Sequence, residues 1–239
     1  MNEAGRSARL GLSTGQESAL GLQAYQEVLA TSQTITSGET YDMVKRCAAR
    51  LTAATGEAGK NFQWAVSVVR SDQVNAFCLP GGKIVVYTGI LPVAGNEAGL
   101  AVVMGHELAH ATLRHGSERI LKEKTTNTLL TGASFSLGDM DMQSRRQIMG
   151  LIGAGARIGL ILPFSRDHES EADSVGLRYM ARAGYDPNEA PKFWQRMSQS
   201  SKGSQPQFLS THPAHETRIE RLHKELPKAL EIYRAAGGR

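Results

Sequence analysis

The chain has 239 residues, 41% of them hydrophobic and 21% charged, with a formal net charge of +4 and a pI near 9.1. This is enough apolar mass for one large domain or two small ones with a full core. The charges are interspersed and form no basic block, which argues against nucleic acid as a partner and leaves only a mild attraction to anionic membrane surfaces.

The start, Met1-Asn-Glu-Ala-Gly-Arg, has no apolar signal-peptide core, so the chain reads either as cytosolic or as the product of a removed export segment. Residues 1–20 are rich in Gly, Ser and Ala and read as a loosely held arm. A short amphipathic helix is expected over Leu22–Leu29 and a second helix over Glu39–Thr52, ended by Gly56 and Gly59. The pattern then turns to strands at Trp64–Val69, Val74–Leu79 and Lys83–Thr88, with Pro80-Gly81-Gly82 as the turn between the last two. A helix apolar nearly all round follows, over residues 96–116. Downstream the sequence is helical at 117–131, Gln143–Ile161, Arg166–Ala183, Asn188–Ser198 and Ala214–Leu226, broken by Gly138-Asp-Met-Asp, Pro163, Gly184 and the Ser200–Gln207 loop. No stretch is long and apolar enough for a transmembrane helix; the nearest, Ile148–Phe164, contains Arg157 and four glycines. A small antiparallel sheet followed by many helices is an α+β pattern. The expected division is an N-terminal arm and short helix, residues 1–38, and one main domain, residues 39–239.

The chemistry is concentrated in the apolar helix, which carries His106-Glu107-x-x-His110. Residues four apart share a helix face, so both imidazoles can address one ion while Glu107 lies close enough to act on a water bound to it. From the His and Glu content the pentapeptide would arise by chance roughly once in a hundred such chains. A catalytic zinc takes three protein ligands and keeps a position for water, so a third ligand must lie downstream. Leu113 and Gly116 stand where the metzincin pattern would need Gly and His. The better candidate is Glu169 in Ser165-Arg-Asp-His-Glu-Ser-Glu-Ala-Asp173. Asp173 shares its helix face and would hold a ligand histidine in its tautomer from behind, whereas Glu171 points elsewhere. In Ser210-Thr-His212-Pro, His212 can reach the site, either as a hydrogen-bond donor to an oxyanion or as a fourth ligand in a latent enzyme. His168 and His215 read as surface residues, and His115, taken as part of the central helix, as structural. Cys47 and Cys78 are either a disulfide or two buried thiols.

From about Asn75 to Leu222 the sequence resembles metallopeptidase family 48, the zinc endopeptidases that include the CAAX prenyl proteases, HtpX and a soluble bacterial periplasmic branch typified by BepA and LoiP. The likeness is carried by Asn75-Ala-Phe-Cys-Leu-Pro-Gly-Gly, by Asn96-Glu97 ahead of His106-Glu107-Leu-Ala-His110, by Ser165-Arg166…Glu169-x-x-Ala-Asp173 and by Thr211-His212-Pro…Arg218-Ile. It implies a mostly helical, gluzincin-like fold and one Zn2+ per chain held by His106, His110 and Glu169, with Glu107 as the base. His212 is implied near the metal and Arg218 near Asp173. A strand at Asn75–Leu79 (Asn75, Ala76, Phe77) or at Ile84–Tyr87 (Ile84, Val85, Val86) would pair with substrate backbone. Cys78 replaces a more usual small apolar residue, which makes a Cys47–Cys78 disulfide worth testing against two separate thiols. The lack of transmembrane helices points to the exported branch, in the bacterial periplasm or envelope, with the cytoplasm as the alternative. The function implied is cleavage of unfolded or misassembled envelope proteins. Its partners would be polypeptide substrates and outer-membrane assembly machinery, with peripheral or lipid-anchored membrane association. The rival is a chaperone or assembly factor that keeps a zinc site without cutting.

Overall fold

A computed structural model describes residues 1–126, 141–152, 163–200, 206–213 and 217–238. All but Asp141 of the expected break at Gly138-Asp-Met-Asp, most of the Ser200–Gln207 loop, His215 and the second half of the Gln143–Ile161 helix lie outside them.

The first 13 residues are tied down along their length. Arg178 Nη2 donates to Glu3 O at 3.0 Å, Arg6 reaches Glu118 and Glu171, and Gly11 N–H donates to Ser117 O. Helix α1 then runs Thr14–Ala30, much longer than the expected Leu22–Leu29. Ser13 and Gln16 form a reciprocal capping box that starts it two turns early, and Leu20, Ala24 and Val28 bury one face at four-residue spacing.

Strand β1 (Thr34–Ile35), helix α2 (Glu39–Ala54) and strands β2 (Ala65–Val69), β3 (Ala76–Leu79) and β4 (Lys83–Tyr87) follow. The order across the sheet is β1-β2-β4-β3. Positive φ at Gly81 and Gly82 closes the tight β3–β4 hairpin, as the Pro-Gly-Gly signal implies. The sheet is mixed rather than antiparallel, however, because β4 inserts between β3 and β2 and runs parallel to β2. Its run Ile84-Val85-Val86-Tyr87 is buried on both faces, and a strand of that kind is most stable with a neighbour on each side. Alternation sends Ala76, Cys78, Ile84 and Val86 into one core with α2, and Phe77, Leu79, Val85 and Tyr87 into a second core with α1.

Short α3 (Leu91–Ala94) leads into α4 (Glu97–Thr112), capped by the Asn96 side chain accepting from Gly99 N–H. Then come α5 (His115–Thr126), α6 (Met142–Leu151), α7 (Arg166–Arg182), α8 (Glu189–Ser200), α9 (Gln207–Thr211) and α10 (Arg218–Ala235). Helix α10 continues through Pro227 instead of stopping at Leu226. The lost hydrogen bond is outweighed where Leu222, Leu226 and Ala229 bury along the same face. Cys47 on α2 and Cys78 on β3 are separate buried thiols, not a disulfide, and burial pushes Cys47 up to about 12.

Helices α4 and α7 meet at backbone contact. A Cβ placed on Gly176 would lie 2.8 Å from His106 N and 2.9 Å from Gly105 C. Gly176→Ala gains about 1 kcal/mol of helix propensity but overpacks against backbone that cannot yield, at the upper end of roughly 1–3 kcal/mol. A net loss of about 2 kcal/mol is expected in thermal melts, with the two helices forced apart.

Candidate metal centre

The α4–α7 contact sets the site. Helix α4 supplies His106, Glu107 and His110, and α7 supplies Glu169 and Asp173. The Ser165 hydroxyl caps α7 by accepting from His168 N–H, which puts Glu169 in the first turn. The residue after α9, His212, closes the cluster from a third direction.

Four buried donors converge: His106, His110, Glu169 and His212. His106 Nε2 lies 3.1 Å from His110 Nε2, 3.2 Å from His212 Nδ1 and 3.4 Å from Glu169 Oε2. Glu169 Oε1 lies 3.3 Å from His110 Nε2 and 2.9 Å from His212 Nδ1. A tetrahedron around zinc, with bonds of about 2.0–2.1 Å, has edges of about 3.3 Å. Two imidazole nitrogens facing each other beside a carboxylate, all shut off from water, also call for a shared cation. The donor set therefore fits zinc.

Behind the donors, His106 Nδ1–H donates to Asp173 Oδ1 at 2.9 Å, which turns the Nε2 lone pair inward. Arg218 is 1% exposed; its Nε donates to Asp173 Oδ2 at 2.7 Å, its Nη2 donates to Glu169, and its guanidinium lies 3.8 Å over the Trp194 ring. Without metal, burial opposes a charge on His106, but Glu169 and Asp173 outweigh it and raise the imidazole to about 9. Burial likewise opposes the Glu169 carboxylate, and His212 and His106 outweigh it and hold the group well below the usual range.

Glu107 lies beside the donor set, lining one cavity with His110 and His212. Burial raises its carboxyl, opposed by His212, His106 and the Cys78 N–H. Its Oε1 is 3.2 Å from His212 Nε2, but without hydrogen-bond geometry, so that buried oxygen has no hydrogen-bond partner. A cavity of about 20 Å3 beside Glu107, His110, His212 and Cys78 has room for one water.

The candidate substrate strands differ in access. β4, with Ile84, Val85 and Val86, has a strand on each edge, so its backbone is not open to another. Among the described residues no strand lies beyond β3. Tyr87 N–H donates to Asn75 O, so by ladder alternation the backbone groups of Ala76 and Cys78 point away from β4, and those of Phe77 toward it.

Several features escaped the sequence reading. Helix α4 ends at Thr112, and Arg114 takes φ 63°, so His115 begins α5 and folds back with Nδ1 2.9 Å from His110 Nδ1. Arg114 is held there by Glu17 and by Leu12 O. Phe164 and Phe208 stack on the two sides of His212, with centroids 5.3 and 4.5 Å away. His168 is half-buried rather than a surface residue, pairing with Glu118 at 2.9 Å. His115, Glu118 and His168 form a second donor cluster, where the Arg6 guanidinium supplies the positive charge. The spacing His110-x4-His115 was the one local signal for any of this.

A helix pair carrying His-Glu-x-x-His and a downstream glutamate, over a small sheet, defines a zinc metallopeptidase domain. Residues 37–226 match the model of peptidase family M48, and the chain belongs to that family, whose metalloproteases use zinc. It is 38% identical over 188 residues to the mitochondrial metalloendopeptidase OMA1 of Schizosaccharomyces pombe, covering 78% of this chain and 53% of that protein. It is 36% identical over 180 residues to the mitochondrial metalloendopeptidase OMA1 of Bos taurus, covering 72% and 34%. It is 31% identical over 222 residues to the beta-barrel assembly-enhancing protease of Yersinia pestis, covering 90% and 45%. The chain thus spans about half the length, or less, of the curated relatives it matches. Among the described residues no helix is long and apolar enough to cross a membrane.

Proposed function

We propose that the chain is a zinc-dependent endopeptidase acting on unfolded or misassembled polypeptides, with its metalloprotease domain at residues 39–239 and residues 1–38 as an N-terminal arm and helix packed on it. The observation that carries this reading is Glu107, a buried carboxylate with an unpartnered oxygen beside a one-water cavity, next to the donor set but not in it. His106, His110 and Glu169 would hold the metal. Zinc, when bound, acidifies water and polarises the scissile carbonyl. Glu107 Oε1 takes the proton of the attacking water and later delivers it to the leaving amine. His212 Nε2 is placed to donate to the negative charge developing on the carbonyl oxygen. Asp173 and Arg218 keep His106 and Glu169 oriented. The outer edge of β3, at the Ala76 backbone and the Cys78 carbonyl, is the surface for an extended substrate, giving backbone hydrogen bonds and little sequence choice.

His212 has a second role in this reading. Its Nδ1 already lies among the metal donors, and with four protein ligands a zinc site has no place for water. That supports a latent resting state, left when His212 withdraws from the metal. For location we infer the cell envelope, supported by the 90% coverage in the match to the beta-barrel assembly-enhancing protease. The partners inferred with it are outer-membrane assembly machinery and, through the +4 charge, an anionic membrane surface. The OMA1 relatives support a mitochondrial-type setting instead.

The test is cleavage of unfolded casein with and without a chelator. Cleavage that stops with the chelator and returns with zinc is expected. Binding of casein without cleavage, with zinc retained, would favour the chaperone reading. In the same assay His212→Ala separates the two roles: a gain in basal cleavage marks latency, and a loss of about 10²–10³-fold marks the oxyanion donor.

A further inference from the structure

His106 and His110 are held differently from behind. His106 leans on Asp173 and then Arg218, both in the core formed by α7 and α10. His110 leans on His115, whose Nε2 lies 3.1 Å from Glu171 Oε2. Glu171 in turn accepts from Arg6, at 2.6 Å from Nε and 3.0 Å from Nη2, and the same guanidinium reaches Glu118 at 2.6 Å.

The protons in this chain have one consistent arrangement. For His110 to offer a lone pair at Nε2, its proton must sit on Nδ1. That N–H then donates to His115 Nδ1, which must be bare. The His115 proton therefore sits on Nε2 and donates to Glu171, a carboxylate that can only accept. Arg6, which can only donate, ends the chain. His115 has no other freedom: it is 0% exposed, and its ring stacks on His168 with centroids 4.3 Å apart.

We propose that His115, Glu171 and Arg6 are positioning residues that fix His110 in its metal-binding tautomer and orientation, so that the segment preceding α1 contributes to metal affinity. This rests on the reading of His110 as a zinc ligand. Neither a ring flip of His110 nor a swap of its tautomer is possible without breaking a buried hydrogen bond, so removing an outer member loosens the ligand itself. The link to Arg6 also gives the N-terminal segment an influence on the metal across more than a hundred residues of sequence, through three side chains.

The test measures zinc dissociation constants by competition with a chromophoric chelator, the visible spectrum of the Co(II)-substituted protein, and thermal melts of the metal-free protein. His110→Ala should lose tight zinc binding. His115→Phe, which keeps ring volume but accepts no hydrogen bond, should weaken zinc by roughly 10–100-fold and shift the cobalt bands. Glu171→Gln and Arg6→Ala should each weaken it by about threefold or more, and Arg6→Ala should add nothing in the His115→Phe background. If His115→Phe fails to fold, Glu171→Gln, which is isosteric and partly solvent-accessible, carries the test. Zinc affinity within about twofold of wild type for both variants, with unshifted cobalt bands while His110→Ala loses zinc, would overturn the chain and leave the ligand reading intact. Undiminished zinc in His110→Ala would instead remove the ligand reading. A lower melting temperature for Arg6→Ala at unchanged zinc affinity would reduce Arg6 to a structural role.

Discussion

Glu107→Gln is expected to retain zinc and lose cleavage by about 10²–10⁴-fold, the range for removing a general base. The substitution keeps side-chain volume and the oxygen that accepts from Cys78 N–H, so the fold around β3 and α4 has no reason to move. What it removes is basicity at Glu107 Oε1, a buried oxygen without a hydrogen-bond partner on a side chain that lines the water cavity beside His110 and His212. Metal analysis and casein cleavage on one preparation separate the two effects. Cleavage above about a tenth of wild type would mean that another group takes the proton, and His212, 3.2 Å away, would be the first to examine.

Arg218→Ala is expected to be the most destabilising single change near the site, costing about 3–5 kcal/mol. Arg218 is buried and donates to two buried carboxylates, Glu169 and Asp173, while covering Trp194. Its removal takes away the guanidinium that bridges both negative charges and leaves His106 as their remaining cationic neighbour. For a domain of this size that is a fall of about 6–20 °C in melting temperature. The loss should be larger in metal-free than in zinc-loaded protein, because a bound cation would compensate part of the same charge. Arg218→Lys keeps the charge but cannot span both carboxylates, so it should fall between the two. Equal losses with and without zinc would separate Arg218 from the metal centre.

How much was legible in the chain follows from the range of the forces involved. His106 with His110, and Glu169 with Asp173, are four-residue pairs, so helix geometry alone placed each pair on one face, and the four side chains meet. The β3–β4 hairpin was legible for the same reason, since Pro80-Gly81-Gly82 is local. The position of β4 between β3 and β2 was not: alternation is the same for a parallel or an antiparallel neighbour, and only the double-sided burial of Ile84–Tyr87 selects the centre of the sheet. His115 looked like part of the α4 helix because nothing in the letters marks Arg114 as the residue that takes a positive φ. That turn costs roughly 1–2 kcal/mol and persists because Glu17 and Leu12, about a hundred residues upstream, hold the guanidinium. Glu171 was correctly seen to point away from Glu169, but its destination, between His115 and Arg6, depends on that same turn. The start of α1 was obscured by Gly15 and Gly21; Gly21 is there because Pro80 O occupies the space a Cβ would need.

The backbone contact between Gly105 and Gly176 has a mechanical consequence. His106 and His110 ride on one of these helices and Glu169 and Asp173 on the other, and with no side chains between them the two rods cannot slide or hinge without a steric collision. Three of the four donors are therefore set in a single stiff frame. His212, just past the end of the five-residue α9, stands outside that frame and meets it through Glu169 and His106, with Phe164 and Phe208 stacked on its ring. Among the described residues, a shift of α9 that carries His212 away would expose the other three donors without moving the frame that holds them.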